Sequence, residues 1–263
     1  MSTTAKIIKY ELHDVIRSRW LIAYGAFFFL ITDALLRFSD TGAKALLSLT
    51  NVVLFIIPLV SAVFGTMYLY NAREFTELLL AQPVSRRQMF GGLLLGLALP
   101  LSLGFLAGFG IPVAMHGLDD PALRGTVAAL AGSGLALTFI FVALAMLIAV
   151  RMEDKVKGLG AAIGLWLAFA VLYDGFVMLA ATMFADYPLE RPMLALMLAN
   201  PVDLARVVLM LQFDVSALMG YTGAVFEKFF GSGGGIALAV TVLALWVAVP
   251  ATLALRRFGK KDF

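Results

Sequence analysis

A charged run separates two long apolar stretches: Arg73, Glu74, Phe75, Thr76 and Glu77, then Leu78 and the residues to 81, then Gln82, Pro83, Val84, Ser85, Arg86 and Arg87. Glu74 and Glu77 stand three apart and share one face of a helix. Leu78 and its successors extend that face, and Pro83 with Ser85 and the arginine pair closes it. The chemistry available here is recognition. A short charged helix at a membrane surface is something a soluble partner can read, and it is a point at which energy from another chain can enter. Topology-setting positive charge accounts for three arginines, but not for the ordered run Glu-Phe-Thr-Glu-Leu-Leu-Leu-Ala-Gln-Pro-Val-Ser-Arg.

Chemistry elsewhere in the sequence is sparse. Asp33 and Asp174 are acids inside apolar stretches, where an ionised group costs at least ~2.5 kcal/mol at the bilayer centre. Counted from the helix ends both fall toward the outer half, where snorkelling or a water-filled vestibule lowers that cost. They are candidates for a pathway or vestibule. Met178 and Met183 join them as outer thioethers, soft enough for Cu(I), although methionine also fills gaps in apolar packing. His13 and His116 fall on opposite sides of the membrane, so one subunit cannot join them in a metal site. Gly132-Ser133-Gly134 has no histidine after it to act as base, and close packing is its better account. No Gly-x-x-x-x-Gly-Lys-Ser/Thr sequence occurs, so any ATP and Mg²⁺ belong to another chain. No catalytic group, metal site or bound cofactor is expected of this one, and without cysteine it has neither disulfides nor thiolate chemistry.

The elements that position these residues follow from composition. With 62% hydrophobic residues, 14% charged and a mean hydropathy of +0.95, the chain is an all-α integral membrane protein. Residues 20–36, 45–70, 89–113, 125–150, 158–185 and 235–255 are each apolar and long enough to span the hydrocarbon. Six spans put both termini on one side. The amino terminus, the loops after spans two and four, and the tail hold 14 of the 20 Lys and Arg residues, which places that side in the cytoplasm. Membrane orientation accounts for the net charge of +3 and the pI near 9.2, leaving no argument for nucleic-acid binding.

Residues 1–19 are expected to form an interfacial helix on the inner leaflet, because Ile8, Leu12, Val15 and Ile16 recur at helical spacing with Lys6, Lys9, His13 and Arg17 on other faces. No cleavable signal is expected there. Residues 71–88 are expected to form the charged cytoplasmic helix-and-turn loop between spans two and three. Residues 186–234 are the one sizeable outer segment and are too apolar for a solvated loop. Amphipathic or re-entrant helices are expected at 194–211, broken at Asn200-Pro201 with Asp203 as cap, and at 215–230. Small residues four apart, Gly92 and Gly96, Gly104 and Gly108, Gly160 and Gly164, predict close helix packing, by default within the chain. The whole of 1–263 reads as one transmembrane domain.

The interfacial amino-terminal helix, six spans, the segment Glu74-x-x-Glu77-Leu-Leu-Leu-Ala-Gln-Pro-Val-Ser-Arg86 and the outer amphipathic segment together resemble the ABC-2 family of transporter permeases, over nearly the whole chain. The resemblance implies that Arg73, Glu74, Phe75, Glu77, Leu78, Gln82, Pro83, Ser85, Arg86 and Arg87 dock a separate ABC ATPase, and that two permease copies pair in the inner membrane of a bacterium. Within the family, the Leu-Ala-Gln-Pro-Val-Ser-Arg motif, the Asn200-Pro201-Val-Asp-Leu segment and the basic tail resemble permeases that support maturation of nitrous oxide reductase. That likeness implies a periplasmic accessory protein and a cargo of copper or a sulfur species, or force transmitted to the accessory protein without cargo. The alternatives are an ABC-2 half-permease exporting a lipid, drug or glycan, a six-span membrane enzyme, and a passive scaffold.

Overall fold

The computed structural model describes residues 18–73, 76, 78, 85–116, 121–184, 190–213 and 233–260, and the regular structure among them is helical, without a strand. The expected interfacial helix, Glu74, Phe75, Glu77, Gln82, Pro83 and the second outer helix at 215–230 lie outside the described residues.

Six helical runs are long and apolar enough to cross a membrane, close to the six expected from the sequence. The first four are α1 (Arg19–Phe38), α2 (Gly42–Asn71), α3 (Arg86–His116) and α4 (Pro121–Arg151). The fifth span is composite: α5 (Lys155–Leu167), a π turn (Ala168–Leu172) and α6 (Tyr173–Met183). Then come α7 (Glu190–Leu198), α8 (Pro201–Met210) and a 3-10 turn (Leu211–Phe213), and α9 (Gly233–Phe258) is the sixth span. Helix α2 has 30 residues, about 45 Å at 1.5 Å per residue, so its ends extend past a ~30 Å hydrocarbon core. That excess length puts Tyr70 and Asn71 among polar groups.

Helix α4 is the hub. Its apolar window is 78% buried against 11% for the fifth span and 17% for the sixth, so the outer faces of those two spans are left for lipid or another chain. It packs on α2, α3, α5, α8 and α9, and Phe141, Ala143, Ala145 and Met146 along it are fully covered. Helix α1 joins through α3, at the expected glycine pair: a Cβ on Gly108 would stand 2.4 Å from the Gly25 carbonyl oxygen, and one on Gly25 would stand 3.3 Å from that of Gly104. Gly134 likewise packs, since a Cβ there would lie 2.3 Å from the Phe105 ring. The expectation for Gly160 and Gly164 is corrected. Among the described residues nothing lies within 4 Å of a Cβ at either, because α5 turns Gly158 and Ala162 inward instead.

Candidate coupling site

The coupling segment leaves α2 through Tyr70, Asn71 and Arg73, and all three are bound to the connection between spans four and five. The Tyr70 hydroxyl lies 2.9 Å from the Met152 carbonyl oxygen and 3.3 Å from that of Asp154, sharing one proton between them. Arg73 donates from Nη1 to the Glu153 carbonyl at 3.0 Å and from Nη2 to the Met152 carbonyl at 3.1 Å. Its guanidinium sits 4.6 Å from the centroid of the Tyr70 ring, a cation–π contact. Lys155 Nζ donates to Asn71 Oδ1 at 3.1 Å.

Elementary helix electrostatics explains the arrangement. Helix α4 ends at Arg151, so its last carbonyls and those just beyond it lack intrahelical partners and carry the negative end of the dipole, which a guanidinium satisfies in both respects. Asp154 then caps α5, accepting from the Val156 and Lys157 amides at 2.8 and 3.2 Å. A turn of this kind has little slack.

The other side of the segment is held in the same way. Arg86 Nη1 donates to the carbonyls of Phe258 and Gly259, at 3.4 and 3.2 Å, across the C-terminal end of α9. Ser85 caps α3, its Oγ accepting from the Gln88 amide at 3.3 Å, and Arg87 is exposed. Between these anchors, the Thr76 amide donates to the Ala72 carbonyl at 2.8 Å, and Thr76 is buried. Leu78 is 71% exposed. Of the residues expected to dock a partner, Arg73, Ser85 and Arg86 therefore also hold the segment to the bundle.

At the opposite end, α7 and α8 form a pair bent by 108°. The break at Asn200-Pro201 is where the sequence places it, but the cap is corrected. Asn200 Oδ1 accepts from the Val202 amide at 2.9 Å with Pro201 opening the helix, so Asp203 is inside the first turn of α8. The broken backbone is buried and tied to spans five and six. Asn200 Nδ2 donates to the Phe169 carbonyl, within the π turn, at 2.8 Å. The hydroxyl of Tyr173 donates to Leu196 O at 2.6 Å, and Trp246 Nε1 donates to Leu198 O at 3.1 Å. Widened π turns recur at functional sites because they bend a helix and free its carbonyls.

The acids expected at depth are both paired. Asp174 meets Arg206 Nη1 at 2.8 Å, and the same nitrogen reaches Asp203 Oδ1 at 2.8 Å. Asp203 also accepts from Asn200 Nδ2 at 2.9 Å. Asp33 holds His116 Nε2 and Arg37 Nε, each at 2.8 Å. Asp33 and Asp174 belong to separate clusters, and Met178 and Met183 are exposed on α6. Among the described residues no group of three His, Cys, Asp or Glu is arranged to hold a metal ion. Sequence reasoning missed Arg206, Tyr70, the pairing of His116 with Asp33, and the carbonyls of 152–154. Only the Asn-Pro pair carried a readable signal, since Asn is a strong N-cap and Pro a strong first helical residue.

Two hydrogen-bonded arms therefore run along the molecule. One joins Arg73 and Tyr70 to the fifth span and, through its π turn, to the bent pair. The other joins Arg86 to α9 and, through Trp246, to the same pair. The sequence matches the profile described as ABC-2 family transporter protein over residues 5–263. It is 30% identical, over 92% of this chain and 90% of the relative, to a protein of Pseudomonas aeruginosa named "Probable ABC transporter permease protein NosY". A protein of the same name from Stutzerimonas stutzeri is 26% identical over 99% of both chains. With six candidate spans, Arg73 and Arg86 bonded to the α4–α5 connection and to the end of α9, and a family match over residues 5–263, the chain belongs to the ABC-2 family of ABC transporter permeases.

Proposed function

We propose that this permease couples a NosF-like ABC ATPase, docked on residues 71–88 at the cytoplasmic face, to a NosD-like periplasmic protein at the bent pair, in support of copper-site maturation of nitrous oxide reductase. A single transmembrane domain, both termini cytoplasmic, works as a homodimer in the bacterial inner membrane. ATP and Mg²⁺ are held by the ATPase, and this chain supplies the mechanical link. The observation that carries the reading is the pair of arms. Arg73 grips the connection between the fourth and fifth spans, Arg86 grips the end of the sixth, and the fifth and sixth spans grip α7 and α8 at the far end.

A guanidinium bonded to helix-terminal carbonyls follows the helix axis, so displacement of the coupling segment reaches the spans directly. Exposed Leu78 and Arg87, with Glu74, Phe75, Glu77, Gln82 and Pro83, offer the ATPase its contact. Cargo, where any crosses, is copper or a sulfur species, with Asp33, Asp174, Met178 and Met183 nearest its outer route.

The test is purification of the tagged chain from membranes in mild detergent, followed by identification of its partners, in wild type and in Glu77→Lys and Arg86→Glu variants. Co-purification of a P-loop ATPase and a periplasmic protein, with loss of reductase copper in the variants, is expected. An ATPase alone, stimulated by amphiphiles, moves the reading to lipid, drug or glycan export. Reversals that leave docking and maturation intact refute the coupling role.

A further inference from the structure

At the basic end of the bundle, a cavity of about 860 Å³ opens between the C-terminal ends of α4 and α9. Arg151, Arg256, Arg257 and Lys260 line it against one carboxylate, Glu153. None of these four cations enters an ion pair among the described residues. Two helix dipoles point their negative ends here, which accounts for some positive charge. They do not account for four cations converging on one empty volume, because a single Lys or Arg in the last turn complements a helix end.

The rest of the lining is apolar. Val150 and Leu253 form the inner wall. Leu253 continues upward as an exposed stripe with Val249 and Leu245, spaced four residues apart on α9, the span that is least covered after the fifth. One face of α9 thus presents an apolar track one leaflet deep that runs into a basic pocket at the membrane surface.

We infer that this cavity is a binding site for the phosphate headgroup of an anionic phospholipid, whose acyl chain lies along Leu245, Val249 and Leu253. A free phosphate matches the pocket but has no use for the stripe. A protein surface matches the charge but does not enter a recess walled by Val150 and Leu253. An anionic lipid uses both, and basic pockets between spans on this side of a membrane have the chemistry for it. The site gives the permease a means of sensing the charge of its leaflet next to the carbonyls that Arg73 and Arg86 grip.

The experiment uses the full chain in detergent, titrated with phosphatidylglycerol or phosphatidylcholine of identical acyl chains and followed by native mass spectrometry, with inorganic phosphate as competitor. Phosphatidylglycerol is expected to be retained preferentially and to resist millimolar phosphate. Each cation removed should weaken it about fivefold, so Arg256→Gln with Arg257→Gln should cost about 25-fold while phosphatidylcholine binding is unchanged. Lys260→Gln, at the exposed mouth, should cost about fivefold in a variant whose fold is not at risk. Equal retention of the two lipids, or an unchanged preference in both variants, overturns the site. Displacement by phosphate alone reassigns it to a soluble anion. Loss of the co-purifying ATPase with lipid binding intact reassigns it to a protein partner, and either reassignment overturns the lipid proposal.

Discussion

Gly158→Ala is a one-methyl test of the link between the coupling segment and the fifth span. A Cβ at Gly158 would stand 1.9 Å from the Tyr70 hydroxyl oxygen, 2.8 Å from Cζ and 2.9 Å from Cε2. The tyrosine cannot step aside cheaply, because it is buried and its hydroxyl is held by the Met152 and Asp154 carbonyls. Overpacking of this kind costs roughly 1–3 kcal/mol, and losing the hydroxyl bond adds about 0.5–1.5 kcal/mol. Opposing this is the helix-interior preference for alanine over glycine, about 0.5–1 kcal/mol. The clash wins, and a net loss of about 2 kcal/mol is expected, within limits of roughly 0.5–4 kcal/mol.

Reversible denaturation in mixed micelles gives the stability, and ATP-dependent maturation with the ATPase present gives the coupling. The decisive comparison is a double-mutant cycle with Tyr70→Phe. Removing the oxygen abolishes the shortest contact, so Gly158→Ala should cost at least about 1 kcal/mol less in the Tyr70→Phe background than in wild type. Gly160→Ala, with nothing within 4 Å among the described residues, is the matched control and should be neutral or slightly stabilising. A Gly158→Ala protein as stable as wild type, or a cycle that adds without coupling, would refute the packing argument.

Three further perturbations test other joints. Arg73→Lys keeps the charge but loses the two-pronged grip on Met152 and Glu153, so on the proposed function ATPase binding should persist while ATP hydrolysis no longer drives maturation, measured as ATP turnover per reductase matured. Asn200→Ala removes the cap on Val202, the partner of the Phe169 carbonyl and a partner of buried Asp203, and should cost about 2–3 kcal/mol in micelle denaturation. Arg206→Gln leaves Asp174 and Asp203 without their shared cation. After discount for partial exposure it should cost about 2 kcal/mol, and Asp203→Asn in the same chain should restore much of that.

The spans were legible because twenty apolar residues have few other uses, and observed ends fall within a few residues of those read from the sequence. Gly104 and Gly108 were legible as packing because α1 presents Gly25 opposite them. Gly160 and Gly164 have the same spacing and no such neighbour among the described residues, since spacing describes one helix and packing depends on which face the bundle covers. The break at Asn200-Pro201 followed from local chemistry, but its cap was assigned to the acid three residues on instead of to the asparagine itself. The partners of Arg73 and Arg86 were not legible. They are backbone carbonyls, 79–80 and 172–173 residues away, and every residue type has a carbonyl.

That last point bears on how an acid inside a span is to be read. Asp33 and Asp174 read as candidates for a pathway or a vestibule because an isolated carboxylate at depth is costly. Each instead has a partner at 2.8 Å on another element: the His116 ring, 83 residues on, and the Arg206 guanidinium, 32 residues on. A satisfied carboxylate joining two helices holds their separation, while a carboxylate in an ion ladder must exchange partners as cargo passes. The two clusters share no residue, and each includes a cation from its own helix or its neighbour's first turns, Arg37 for one and Arg206 beside Asp203 for the other. Groups so fixed suit a rigid outer rim. With the bent pair gripped by spans five and six, that rim is where, on the proposed coupling, movement entering at Arg73 and Arg86 would emerge as displacement of α7 and α8.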